Sequence, residues 1–129
     1  MSFGITSMWS FIGLLCTHWV ADFVFQSHWM ASNKSKRMDA LALHVGVYSA
    51  ILLMASGILF AMHGIWPVFE FVALNGLLHF ATDYATSRMS ARLWGQQRWH
   101  DFFVIIGFDQ LIHHVMLALT MMWFFGTVR

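Results

Sequence analysis

Pro67-Val68-Phe69-Glu70-Phe71-Val72-Ala73-Leu74-Asn75-Gly76-Leu77-Leu78-His79-Phe80-Ala81-Thr82-Asp83-Tyr84-Ala85-Thr86 is a run of twenty residues without a Lys or Arg, yet it carries Asn75, His79 and Asp83 at intervals of four. As an α-helix this run rises about 30 Å, the thickness of a bilayer's hydrocarbon core. The four-residue interval puts the three polar groups on one helix face. An apolar cylinder with one polar stripe fits a lipid-facing helix that turns its stripe inward.

Three further segments have the length and composition of a span. They run from Phe3 to about Gln26, from Leu41 to about Met62, and up to about Phe125. The last has two candidate starts. One lies near Phe102; the other lies near Asp109, with the preceding residues interfacial or re-entrant. The expected architecture is therefore all-α: one integral-membrane domain over residues 1–129, a four-helix bundle with spans at about 3–26, 41–62, 67–86 and 102–125.

Composition agrees. The chain has 129 residues, 59% hydrophobic and 10% charged, with a mean hydropathy of +0.64. Soluble domains carry about 25% charged residues. A net charge of +1, with the cations in short clusters between apolar runs, argues against nucleic acid as a partner. The lone Cys16 lies in an apolar run and supports no disulfide framework. Met1 to Ser7 lacks the basic region and cleavage site of a signal peptide, so the first segment reads as a retained span.

The connectors set an expected orientation. Lys34, Lys36, Arg37, Arg88, Arg92 and Arg98 fall in the first and third connectors, and Arg129 lies at the other side. By the positive-inside rule both termini face away from the cytoplasm. Trp29, Trp94 and Trp99 would mark one interface, and Trp9, Trp66 and Trp123 the other. Gly64-Ile65-Trp66-Pro67 reads as a tight turn with Pro67 at a favoured helix start.

The polar stripe recurs. The first segment has His18, Asp22 and Gln26 four apart, and the last has Asp109 and His113. Counting about 1.5 Å per residue from the basic connectors, His18 and His79 lie about 12 Å deep, His44 about 7 Å, and Asp22 and Asp83 about 6 Å. Asp109 and His113 fall in the same half. Intramembrane ionisable groups face a bundle interior or cavity. Imidazole and carboxylate from separate helices ligate Zn, Mn or Fe without choosing among them. The expected ligands are His18, Asp22, His44, His79, Asp83, Asp109 and His113 on a divalent metal, or on two ions bridged by Asp22 or Asp83. Asp22 and Asp83 are the catalytic candidates, with Gln26 orienting substrate or water. The plainer reading pairs each His with its own Asp, as polar glue between helices.

An internal repeat accompanies the stripe. His18-Trp19-Val20-Ala21-Asp22-Phe23 parallels His79-Phe80-Ala81-Thr82-Asp83-Tyr84, and Asp39 to Val45 parallels Asp109 to Val115, which aligns His44 with His114. Two repeated helical hairpins of one orientation would result.

The ordered set His18-Trp19-Val20-Ala21-Asp22-Phe23-Val24-Phe25-Gln26, Trp29-Met30-Ala31, Asn33-Lys34, His44, Leu78-His79-Phe80-Ala81-Thr82-Asp83 and Phe108-Asp109-Gln110-x2-His113 resembles the domain of unknown function 3307 family of small bacterial and phage-borne membrane proteins. The resemblance implies a multi-span protein of the bacterial inner (plasma) membrane and carries no established activity.

The residues leave three functions open. One is a metal-dependent hydrolase or transferase acting on a lipid or lipid-linked phosphate from the cytoplasmic side. Another is a structural or accessory subunit of a membrane complex, a homo-oligomer or a small channel. The third is haem held between facing histidines.

Overall fold

The structure, a computed structural model, describes residues 5–126, with side chains from residue 8 onward. The described residues form α1 (Ile5–Trp19), a π-helical turn (Val20–Val24), α2 (His28–Asn33), α3 (Met38–Ala55), α4 (Gly57–His63), α5 (Ile65–Gly95) and α6 (Trp99–Phe125). The protein is all-α. Among the described residues, α3, α5 and α6 are long and apolar enough to cross a membrane, and Met8–Val24 is a shorter apolar helix.

Local chemistry moves several expected boundaries. The first segment does not stay α-helical to Gln26. One residue is accommodated in a π turn, closed by Phe25 N donating to Val20 O at 3.0 Å, and Asp22 sits inside it. Wide turns of this kind re-aim side chains and occur at functional sites. The start expected near Phe3 lies outside the described residues. The second segment is broken into α3 and α4 at Ser56. There the Ser56 hydroxyl donates to Leu52 O at 2.7 Å, and its N–H is shared between Leu52 O and Leu53 O. A serine back-bonding to the preceding turn bends a helix, and Gly57 follows it.

The third helix is far longer than the expected 67–86. α5 spans 31 residues, about 46 Å. Residues 88–95, expected as a polar connector, instead continue it, since Arg88, Met89, Ala91, Arg92 and Leu93 are good helix formers with no proline among them. Only Gln96 to Arg98 join α5 to α6, with Gln97 in the left-handed region at φ 58°. Chain reversal in so few residues makes α5 and α6 an antiparallel pair. Of the two starts considered for the last span, the helix begins even before the earlier one, at Trp99. At the opposite end Gly64 (φ +84°) makes the turn from α4 into α5. Pro67 sits in the first turn of α5, where its missing N–H costs nothing.

Packing is divided lengthwise. Toward the Gly64 end, Leu14, Tyr48, Leu52, Leu59, Val68, Phe71, Leu117, Met121 and Phe125 form an apolar core. Toward the basic connectors the interior is polar, with His18, Asp22, His44, His79, Asp83, Asp109 and His113 all buried. The outer surface is the reverse. Trp123 and Met54 are each 81% exposed, and Trp66 is 73% exposed. Apolar outside and ionisable inside is the pattern of a chain whose solvent is hydrocarbon. Where lipid and core are equally apolar, interhelical hydrogen bonds and close packing hold helices together. Asn75 supplies one such tie between α5 and α6, donating to Thr120 Oγ1 at 2.9 Å and to Phe71 O at 2.8 Å.

Gly76 marks the close approach of α5 to α3, because a Cβ there would lie 2.7 Å from Ser49 Oγ. The serine hydroxyl can rotate away from a methyl but not from a branched side chain. Gly76→Leu is expected to cost about 1–3 kcal/mol, read as a lowered unfolding midpoint in detergent. Gly107→Leu, where a Cβ meets nothing within 4 Å, is expected to leave the midpoint unchanged.

Candidate metal centre

Five stretches of chain deliver the polar residues. α1 carries His18, the π turn Asp22, α3 His44 and Tyr48, α5 His79, Asp83 and Thr86, and α6 Asp109, Gln110 and His113. His44 and Tyr48 are themselves four apart, a stripe on the second span that the sequence reading did not mark beyond His44.

The stripes meet. His44 Nε2 lies 3.0 Å from Asp22 Oδ1, 3.1 Å from His79 Nε2 and 3.3 Å from Asp83 Oδ2. His79 Nε2 lies 3.5 Å from Asp22 Oδ1 and 3.7 Å from Asp83 Oδ1. One ligand atom from each of Asp22, His44, His79 and Asp83 falls within 4.8 Å of all the others, and every one of these residues is buried. Ligands at about 2.0–2.2 Å from a tetrahedral Zn²⁺ stand about 3.3–3.6 Å apart, and the observed separations straddle that range. The residues therefore fit a divalent ion in spacing and in donor chemistry.

A second group adjoins the first and shares a carboxylate with it. Asp22, Asp109 and His113 also lie within 4.8 Å of one another. His113 Nε2 is 3.1 Å from Asp83 Oδ1 and 3.5 Å from Asp109 Oδ1. Thr86 Oγ1 donates to Asp109 Oδ1 at 2.5 Å.

Charge points the same way as spacing. Three buried carboxylates share this volume, and Lys34, whose Nζ donates to Asp83 Oδ2 at 2.7 Å, is the ammonium among them. With neutral imidazoles two negative charges remain. Unpaired buried charge is costly; one divalent cation would balance it, as would two protonated imidazoles among those paired with the carboxylates.

Ring stacking holds the imidazoles in place. His79 lies between Tyr48, at 4.0 Å and 18°, and His113, at 4.1 Å and 20°. The outward nitrogens, Nδ1 of His44 and of His79, have no hydrogen-bond partner among the described residues. Metal-bound histidines usually donate that N–H to an outer carboxylate or carbonyl, so these two rings are oriented by packing instead. The Nε2 atoms of His44 and His79 lie 3.1 Å apart, with the two rings inclined at 48°; that leaves no space for a macrocycle between them and removes the haem reading for this pair.

Not every expected ligand joins the donor groups. His18 is fully buried beside them, but its Nε2 lies 3.2 Å from Gln110 Oε1 and its Nδ1 3.4 Å from Tyr48 Oη. The nearest Asp22 oxygen is 3.7 Å from His18 Nε2. The repeat alignment paired His44 with His114, whereas the structure brings His113 into the cluster and leaves His114 half-buried at the rim. The aligned Asp39 is exposed and paired with Arg37 at 2.6 Å, unlike the buried Asp109.

Gln110, Tyr48, Thr86 and Lys34 were missed as members of the centre. Gln110 Nε2 donates to Asp22 Oδ2 at 2.7 Å and to Asp109 Oδ2 at 3.1 Å. It is one residue, about 100° of helix rotation, off the Asp109/His113 stripe, which is why periodicity overlooked it. Lys34 reads as an ordinary connector cation until α2 folds back toward α5.

A chamber of about 700 Å³ leads from the centre toward the basic connectors. Asp22, Asp83 and Asp109 form part of its wall, as do Gln26, Lys34 and Lys36. Gln26 Oε1 is buried without a partner among the described residues.

The fold and site define an all-α protein with spans of membrane-crossing length and a buried His/Asp cluster able to hold a metal ion. The chain matches the family described as protein of unknown function (DUF3307) over residues 10–129, and it belongs to that family. No curated protein and no solved structure matches it.

Removing Asp83 should strand Lys34, His44 and His113 at once. Asp83→Ala is expected to cost about 3–5 kcal/mol, measured as the shift in detergent-resistant unfolding. Asp39→Ala, which breaks only the exposed pair with Arg37, should leave that midpoint where it is.

Proposed function

We propose that this chain is an integral membrane protein whose His/Asp centre binds a divalent ion near the cytoplasmic face and supports hydrolysis or transfer at the phosphate of a lipid or lipid-linked substrate. The observation that carries the proposal is the convergence of Asp22, His44, His79 and Asp83, from separate stretches of chain, within 4.8 Å. Three membrane-length helices and an outer surface rich in exposed Trp, Phe, Leu and Met support the membrane setting. The cations of the first and third connectors support an orientation with both termini non-cytoplasmic.

Asp22, His44, His79 and Asp83 would hold the ion; Asp109 and His113, sharing Asp22, would hold a second. The donor set suits Zn, Mn or Fe alike. When bound, such an ion supplies Lewis acidity and a water of lowered pKa, and two ions about 3.5–4 Å apart can clamp both sides of a displacement at phosphorus. The chain's own residues do the rest. Lys34 sets a positive charge at the chamber wall, beside Asp83, where a phosphate would enter. Gln26 offers an unpaired carbonyl oxygen to a donor on substrate or water. Gln110 holds Asp22 and Asp109 in register.

The alternative is a non-enzymatic subunit of a membrane assembly, a homo-oligomer or a small channel. It is favoured by one observation: the carboxylates of Asp22, Asp83 and Asp109 already have protein partners, so the network can serve as interhelical glue.

Elemental analysis of the purified protein separates the two readings. One or two ions per chain are expected, falling below half the wild-type content in His79→Ala and in His44→Ala, and unchanged in Asp39→Ala. A wild-type protein that stays folded and carries no metal after incubation with Zn²⁺, Mn²⁺ and Fe²⁺ removes the proposal in favour of glue.

A further inference from the structure

A second opening touches the chamber from the side. It is a groove of about 640 Å³ between α1 and α6, walled by Leu15, Cys16, Trp19, Val20 and Phe23, with Gln110 and His114 in its lining. The chamber and the groove share two residues, Phe23 and Gln110. Their chemistry is opposite: the groove is almost wholly apolar, while the chamber has three carboxylates, Lys34 and Lys36.

Gln110 stands where the two meet. Its amide donates to Asp22 and Asp109 on the chamber side, and its Oε1 meets His18 Nε2 on the other. Phe23 belongs to the π turn, whose irregular winding sets the edge of α1 at this point. The groove opens on the flank of the helices, where hydrocarbon would surround a membrane-embedded chain. A third cavity, of about 360 Å³ between α1 and the α3–α4 bend, is lined by Trp9, Gly13, Ala55 and Ile58 among others, and shares no residue with the chamber.

We infer that chamber and groove together form one bipartite site for a single-chain amphiphilic phosphate, its head in the chamber against Lys34 and its hydrocarbon chain leaving sideways between α1 and α6. Two features select this occupant. The groove adjoins, through Phe23 and Gln110, a chamber that places Lys34 and Lys36 where an anionic head would lie. Of the two shared residues only Gln110 is polar, which suits the glycerol-free link between a phosphate and an alkyl chain. The inference rests on the chamber being the phosphate site proposed above.

Binding of dodecyl phosphate, ethyl phosphate and dodecanol to the metal-loaded protein in lipid nanodiscs tests it. Dodecyl phosphate is expected to bind at least tenfold tighter than either of the others. Cys16→Trp, which fills the groove from its exposed wall, should weaken dodecyl phosphate at least tenfold and leave ethyl phosphate and metal content unchanged. Ala55→Trp, in the third cavity, should change none of them.

Equal binding of dodecyl and ethyl phosphate overturns the inference, as does insensitivity to Cys16→Trp; metal binding would survive either result. Dodecanol binding as tightly as dodecyl phosphate would mean an ordinary bilayer chain fills the groove, and also overturns it. Should Cys16→Trp fail to fold, 11-bromoundecyl phosphate decides: it should quench a component of wild-type tryptophan fluorescence that is missing in Trp19→Phe, and equal quenching in both proteins sinks the inference.

Discussion

Two carboxylates buried side by side, Asp22 and Asp83, constrain the rest of the molecule. In a low-dielectric interior their charge must be met by donors or cations at short range. Asp22 draws in His44, His79 and Gln110; Asp83 draws in Lys34, His44 and His113. These partners come from the connector after α2 and from α3, α5 and α6. Satisfying the pair thus brings the otherwise interchangeable apolar helices to one axial register, which lipid-like packing alone would specify poorly.

The division of the interior follows from that demand. Where the carboxylates lie, the space between helices is polar and opens into a chamber toward the basic connectors. Beyond Tyr48 and Asn75 no fully buried ionisable group occurs among the described residues, and the helices close on Leu52, Phe71, Leu117 and Phe125. Tyr48 stands at the boundary, its ring stacked on His79 and its hydroxyl near His18. Two irregularities serve the same end. The π turn re-aims Asp22, and the bend at Ser56 splits the second span where the polar storey has already ended. The donor set of neutral and anionic groups, with Lys34 beside it, is one that could hold a metal ion.

Much of this centre was legible in the chain because helical periodicity is a property of neighbours in sequence. Spacing of four put His79 with Asp83 and Asp109 with His113, and counting from the basic connectors put them at one depth. The sequence was silent where a partner came from off the stripe. His18 meets Gln110 of α6 and Tyr48 of α3, partners that the spacing within its own helix does not record. His113, the residue expected from its spacing to Asp109, enters the cluster, while the repeat alignment, which set His114 against His44, aligns letters and does not record the rotation of α6 about its axis. Lys34 and Gln110 carried no periodic signal at all. The connector expected at 88–98 became helix because polar composition and helix propensity are independent, and arginine is a good helix former.

What the sequence determined by itself was the helical class, the membrane-length apolar runs and the faces on which the ionisable groups stand. Each follows from local rise, local spacing and composition. Only the tertiary structure decided which of those faces look at one another, which nitrogen lies 3.0 Å from which oxygen, and that a lysine from a surface connector completes a buried site. Those are relations between residues as far apart in the chain as Asp22 and Gln110. They depend on the packing angles and rotations of whole helices, and no short-range pattern of residues records them.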